Sequence, residues 1–185
     1  MILNNLKALM GHIINIAITV LLLKVFSYFY ENNITLDNIL FKLIVCLIIF
    51  VLYFLVGKTM RIRKKPITDF LYGFIIAIFG VLFFMIAKIG TGSKIFEVAI
   101  GSEISKFLLD LYLAPIFLVL SIFNIKLNLP FFIISILLPG ILIGIGAMTK
   151  RRNIIKKRKI RQRRIYEQMR SKGELNDQRK NYRNI

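Results

Sequence analysis

The sequence contains one cysteine, one histidine, no tryptophan, four prolines and only nine acidic residues in 185 positions. A single cysteine closes no internal bridge, which excludes a disulfide-stapled secreted domain and leaves the redox compartment unread. No HExxH, GxSxG or paired-carboxylate pattern occurs, so the common hydrolytic machineries have no carrier. The stretch Lys88-Ile-Gly-Thr-Gly-Ser-Lys94 has the glycines and lysine of a phosphate-binding turn. It lacks the G-x-x-x-x-G-K-[ST] spacing and a preceding strand, and it reads as a flexible turn. We expect no catalytic residue, no cofactor and no metal.

Apolar residues fill the composition instead. They make up 57% of the chain, against about 45–50% in soluble domains, and they come in blocks. The blocks cover approximately residues 13–30, 39–56, 70–87, 107–123 and 131–148. Each is close to the ~20 residues that a helix needs to cross ~30 Å of hydrocarbon. None carries the polar stripe of an amphipathic soluble helix. Five buried core helices in a chain this short would leave too little polar surface to stay in solution. The first block is followed by Lys24-Val-Phe-Ser-Tyr-Phe-Tyr-Glu31, bulky and aromatic where a cleavage site would need small residues. We expect an uncleaved first span.

Loop charge sets orientation, because basic loops stay cytoplasmic. Five Lys/Arg fall within Lys58–Lys65, and none within Glu31–Asn38. The expectation is therefore an outer first loop, an inner second loop and a cytoplasmic N-terminus. From Lys150 to Ile185 the chain carries 15 basic and three acidic residues (Glu167, Glu174, Asp177), +12 of the total +18. That tail belongs inside as well. An inner loop and an inner tail require an even number of crossings between them, yet three blocks intervene. Residues 107–123 form the weakest of these, containing Asp110 and Pro115. The expected fold is thus all-α: a polytopic membrane protein with four transmembrane helices, a re-entrant or interfacial helix at 107–123, and a basic helical tail at 150–185. The alternative is five spans. A bacterial cell membrane is the expected location, from the Ile/Lys/Asn/Phe-heavy vocabulary.

Helices in lipid associate through small residues and hydrogen bonds. Gly73, Ala77 and Gly80 form one small-residue face, and Gly140 and Gly144 a second. We expect the two to pack inside one bundle; the alternative is docking of a membrane-protein partner or a second copy. Asp110 is expected to pair with Lys106 one turn away, its functional alternative being an ion or transport site. Lys24 and Lys42 lie close enough to block ends to reach the headgroups. His12, Asn15 and Thr19 share a helix face with no carboxylate in the same span, which suits a polar cavity or a bridge to another helix. A His12–Cys46 thiol catalyst is not expected, because the two fall at different depths.

The tail carries the densest signal. Lys150, Arg151, Arg152, Lys156, Lys157, Arg158, Lys159, Arg161, Arg163 and Arg164 form its cationic run, read as a helix continuing to about Gly173. Three partners fit such a run: anionic lipid headgroups, RNA or the ribosome through phosphates, and an acidic protein. The expected function is a non-catalytic interaction or auxiliary subunit whose tail concentrates an anionic partner at the bilayer. The alternative is a small transporter or channel with Asp110 in the pathway.

Overall fold

The computed structural model describes residues 2–31, 39–62, 66–92, 95–96 and 103–183. The expected outer loop at 32–38, the lysine-arginine positions 63–65 and the end of the glycine turn at 93–94 lie outside the described residues. Among the described residues there are five α-helices: α1 (Ile2–Glu31), α2 (Ile39–Thr59), α3 (Phe74–Thr91), α4 (Ile104–Ile122) and α5 (Leu129–Arg183). A 3₁₀ segment, Pro66–Gly73, leads into α3. Among the described residues there is no strand. Each of the five contains a stretch long and apolar enough to cross a membrane.

The helices outrun the apolar blocks. Helix α1 begins at Ile2, because Leu6, Lys7, Ala8 and Leu9 are good helix formers although the segment is too polar to count as a span by itself. The tail helix passes Gly173 and reaches Arg183, which corrects the expected stop. One glycine costs about 1 kcal/mol relative to alanine, and no proline follows it to end the helix.

The chain divides into two compact units, Met1–Met148 and Thr149–Ile185. In the first, α1 and α2 form an antiparallel hairpin. Its rungs are Asn4 with Arg61, His12 with Tyr53, Asn15 with Ile49 and Phe26 with Phe41. Helices α3 and α5 are also antiparallel: Gly73 lies against Gly140, Gly80 against Ile136, and the Phe84 and Phe132 rings are 4.4 Å apart. Helix α2 joins them where Gly57 meets Ile143, Gly146 and Ala147. A Cβ on Gly57 would collide with the Ile143 carbonyl oxygen, so only glycine allows this approach.

Helix α4 occupies the middle. From Leu109 to Leu118 only Leu111 is exposed, a degree of burial that no other helix of the bundle matches. Its first turn abuts the end of α3, with Ser105 against Gly90. Two residues past its end, Asn124 has a left-handed φ of 55°, a conformation that asparagine tolerates through its short polar side chain. The Ile125 amide donates back to the Leu120 carbonyl at 2.9 Å, closing the helix and reversing the chain. Helix α5 then starts close to where α3 ended, Phe132 packing against Phe96 as well as Phe84.

The expected small-residue faces are placed as follows. Gly73 and Gly140 touch backbone to backbone, Gly80 meets the Ile136 side chain, Ala77 is half-buried against the core, and Gly144 is buried. Gly57 and Gly146 form a further close approach that the sequence reading did not single out.

Candidate functional site

A polar ladder runs down the buried face of α1. Asn4, His12, Asn15 and Thr19 are all at least 96% buried, and their spacing of roughly one to two turns puts them on one side of the helix. The Asn4 amide donates to the Arg61 carbonyl at 2.8 Å, and its carbonyl accepts the Arg61 backbone N–H at 3.1 Å. Both groups thereby clamp the turn after α2. Tyr72 donates to the same Arg61 carbonyl at 3.0 Å, tying in the 3₁₀ segment. Deeper in the bundle, His12 Nδ1 and the Tyr53 hydroxyl share a hydrogen bond of 2.8 Å. Asn15 donates to the Ile49 carbonyl at 3.2 Å, and Thr19 to the Asn15 carbonyl at 2.8 Å.

His12 is the junction of the ladder with α4. The Tyr112 ring packs edge-on to His12 with centroids 4.4 Å apart, and the Tyr112 hydroxyl donates to the Ile76 carbonyl of α3 at 2.8 Å. One imidazole and two phenols thus link four helices. Neither tyrosine was singled out from the sequence. The available signal was a phenol inside an apolar block, whose hydroxyl must find a partner once buried. His12 Nε2 and Asn15 Oδ1 accept or donate no hydrogen bond. The expected bridge from this face to another helix is the observed arrangement.

Asp110 and Lys106 form an i,i+4 ion pair at 3.4 Å, both side chains 4% exposed. Asp110 is therefore surrounded by protein. Desolvation offsets much of the Coulombic gain of such a pair, so its burial constrains the geometry of α4 more than it adds stability. Cys46 is buried on α2, seven residues from the His12 partner Tyr53, a rise of about 10 Å. That separation gives no cysteine–histidine couple. Among the described residues no three His, Cys, Asp or Glu side chains lie together as a metal site would require.

The second unit carries the other candidate surface. Arg152, Lys156, Lys157, Arg158, Lys159, Arg161, Arg163 and Arg164 are exposed, while Lys150 and Arg151 are half-buried. Arg152, Lys156, Lys159 and Arg163, at i, i+4, i+7 and i+11, line one groove together with Ile155 and Ile160. The helix thus presents ordered cations to an anionic partner.

No known family model, curated protein or solved structure matches this chain.

Proposed function

We propose that this protein is a non-catalytic, multi-pass subunit of a bacterial cell membrane that holds an anionic partner at the cytoplasmic face through its basic tail. The observation that carries this reading is the exposure of eight Lys/Arg side chains between Arg152 and Arg164, with no acidic residue among them. Their charge is unneutralised within the segment, and neighbouring cations on a helix repel, so an anionic partner would relieve that repulsion. The test compares partner retention by the full-length protein and by a chain truncated at Lys150, at low and high salt. Retention that depends on the tail and falls as salt screens it supports the role. A truncated protein that inserts and keeps every partner overturns it.

The topology within this proposal is four spans, with α4 entering and leaving on the outer side. Supporting it, the first turn of α4 lies beside the end of α3 through Ser105–Gly90, and the first turn of α5 meets Phe84 in the second half of α3 and Phe96 beyond it. Seven Cα steps separate Ile122 at the end of α4 from Leu129 at the start of α5, a reach of at most about 25 Å, short of the ~30 Å of hydrocarbon. The antiparallel pairing of α5 with α3 brings Met148 to the end of the bundle where α2 finishes, which supports a shared side for the Lys58 turn and the tail.

A second proposal, transport, is favoured by one observation, the enclosure of Asp110 in protein. Intramembrane carboxylates mark ion pathways by default. Loss of a measured ion or solute flux in Asp110→Asn would support it, and an unchanged flux would remove it.

A further inference from the structure

The tail helix does not carry cations alone. We infer that its occupant is the anionic lipid surface, the tail bending out of the span that precedes it to lie in the headgroup plane with a defined face turned toward the acyl chains. This rests on the anion-binding role proposed above and names the partner.

The geometry points to lipid through the arrangement of the two residue classes. At about 100° per residue, Ile154, Ile155, Ile165, Tyr166 and Met169 fall within an arc of about 120°. Tyr166 is 77% and Met169 65% exposed, so large apolar surface on this arc faces solvent. Cations flank it, Arg152, Lys156, Lys159 and Arg163 on one side and Lys157 and Arg164 on the other. Asn153, Glu167 and one apolar residue, Ile160, lie opposite the arc, and Glu167 is the single acid between Lys150 and Lys172. Apolar face down, lysine and arginine at the flanks and the acid uppermost is the pattern of a helix resting in a bilayer interface. Arg151 and Arg158 also fall within the arc, where long stems let a guanidinium reach back to phosphate level. A phosphate polymer such as RNA needs only the cations, and leaves the apolar arc without a role.

The test uses the full-length protein with Cys46→Ala, in nanodiscs, carrying a fluorescent label at Met169→Cys or at Glu167→Cys. These positions are two residues apart and on opposite faces. In discs containing phosphatidylglycerol, a water-soluble quencher should reach position 169 several-fold less than position 167. The difference should vanish in pure phosphatidylcholine discs, and also at about 1 M salt, where the Debye length is about 3 Å. Equal quenching at both positions in every disc overturns the inference. So does protection of 169 that arises only when RNA or an acidic protein is added. If the tail still retains an anionic partner in either of those cases, the proposed role stands and the lipid assignment alone fails.

Discussion

Replacing Gly73 and Gly140 by alanine, one at a time, probes the packing of α3 on α5 from both sides of a single contact. A Cβ on Gly73 would overlap the Gly140 Cα and lie 2.8 Å from its carbonyl oxygen. Both are backbone atoms, so no side chain can rotate away and the two helices must separate. Overpacking costs about 1–3 kcal/mol, and the upper end applies here, about 3 kcal/mol or roughly a hundredfold in the folding equilibrium. From the other side, a Cβ on Gly140 meets the Gly73 carbonyl oxygen at 3.1 Å and its carbon at 3.3 Å. A shift of a few tenths of an ångström accommodates it. Gly140 is also inside a helix, where alanine gains about 1 kcal/mol over glycine. Gly140→Ala should therefore come out near neutral. Reversible unfolding of the full-length protein in mixed micelles, titrated with a denaturing detergent, reads both values. Equal effects, or a larger loss in Gly140→Ala, would refute the backbone contact and with it the antiparallel pairing that carries Met148 to the end of α2.

Three further outcomes follow from the polar contacts. Tyr53→Phe leaves buried His12 without its hydroxyl partner and should cost about 1–3 kcal/mol, whereas adding His12→Leu should recover much of that loss in a double-mutant cycle. Asn4→Leu removes both bonds to the Arg61 backbone, so hydrogen exchange at the Arg61 amide should accelerate while the Tyr53 region stays protected. Asp110→Leu breaks a buried ion pair and should destabilise by about 3–5 kcal/mol, but Asp110→Leu with Lys106→Met should restore most of it, since apolar replacement of a whole buried pair is often neutral.

Which parts of this molecule could be read from its sequence follows from how each is encoded. Apolar blocks are a local property, so the five apolar helices were visible in the chain, and the pairing of Lys106 with Asp110 follows from i,i+4 spacing. Helix ends were less visible: α1 extends 11 residues before its expected start, because hydropathy marks the apolar part of a helix and not its hydrogen bonding. Contacts between distant segments were visible only by residue type. The glycines of α3 and α5 suggested a close approach, yet nothing local indicates that Gly57 would join them or that Gly146, in place of Gly144, would meet it. His12, Asn15 and Thr19 announced a polar face, but their partners lie elsewhere in the chain. Tyr53 and Ile49 become partners only through the antiparallel register of α1 and α2, and Tyr112 reaches His12 only because α4 is central. The burial of Asp110 was not legible either, since the weaker hydropathy of α4 reflects a helix whose middle is enclosed by protein.

The central claim is that the Lys58 turn and the basic tail share one aqueous side while α4 returns to the other. It is tested most directly by single-cysteine labelling in sealed cells, on a Cys46→Ala background, at Arg61, Glu103, Asn128 and Tyr166. A membrane-impermeant reagent should label the Glu103→Cys and Asn128→Cys proteins from outside, and the Arg61→Cys and Tyr166→Cys proteins only after permeabilisation. Labelling of positions 103 and 128 from opposite sides would make α4 a full crossing, and labelling of 61 and 166 from opposite sides would contradict the shared face on which the proposed role depends.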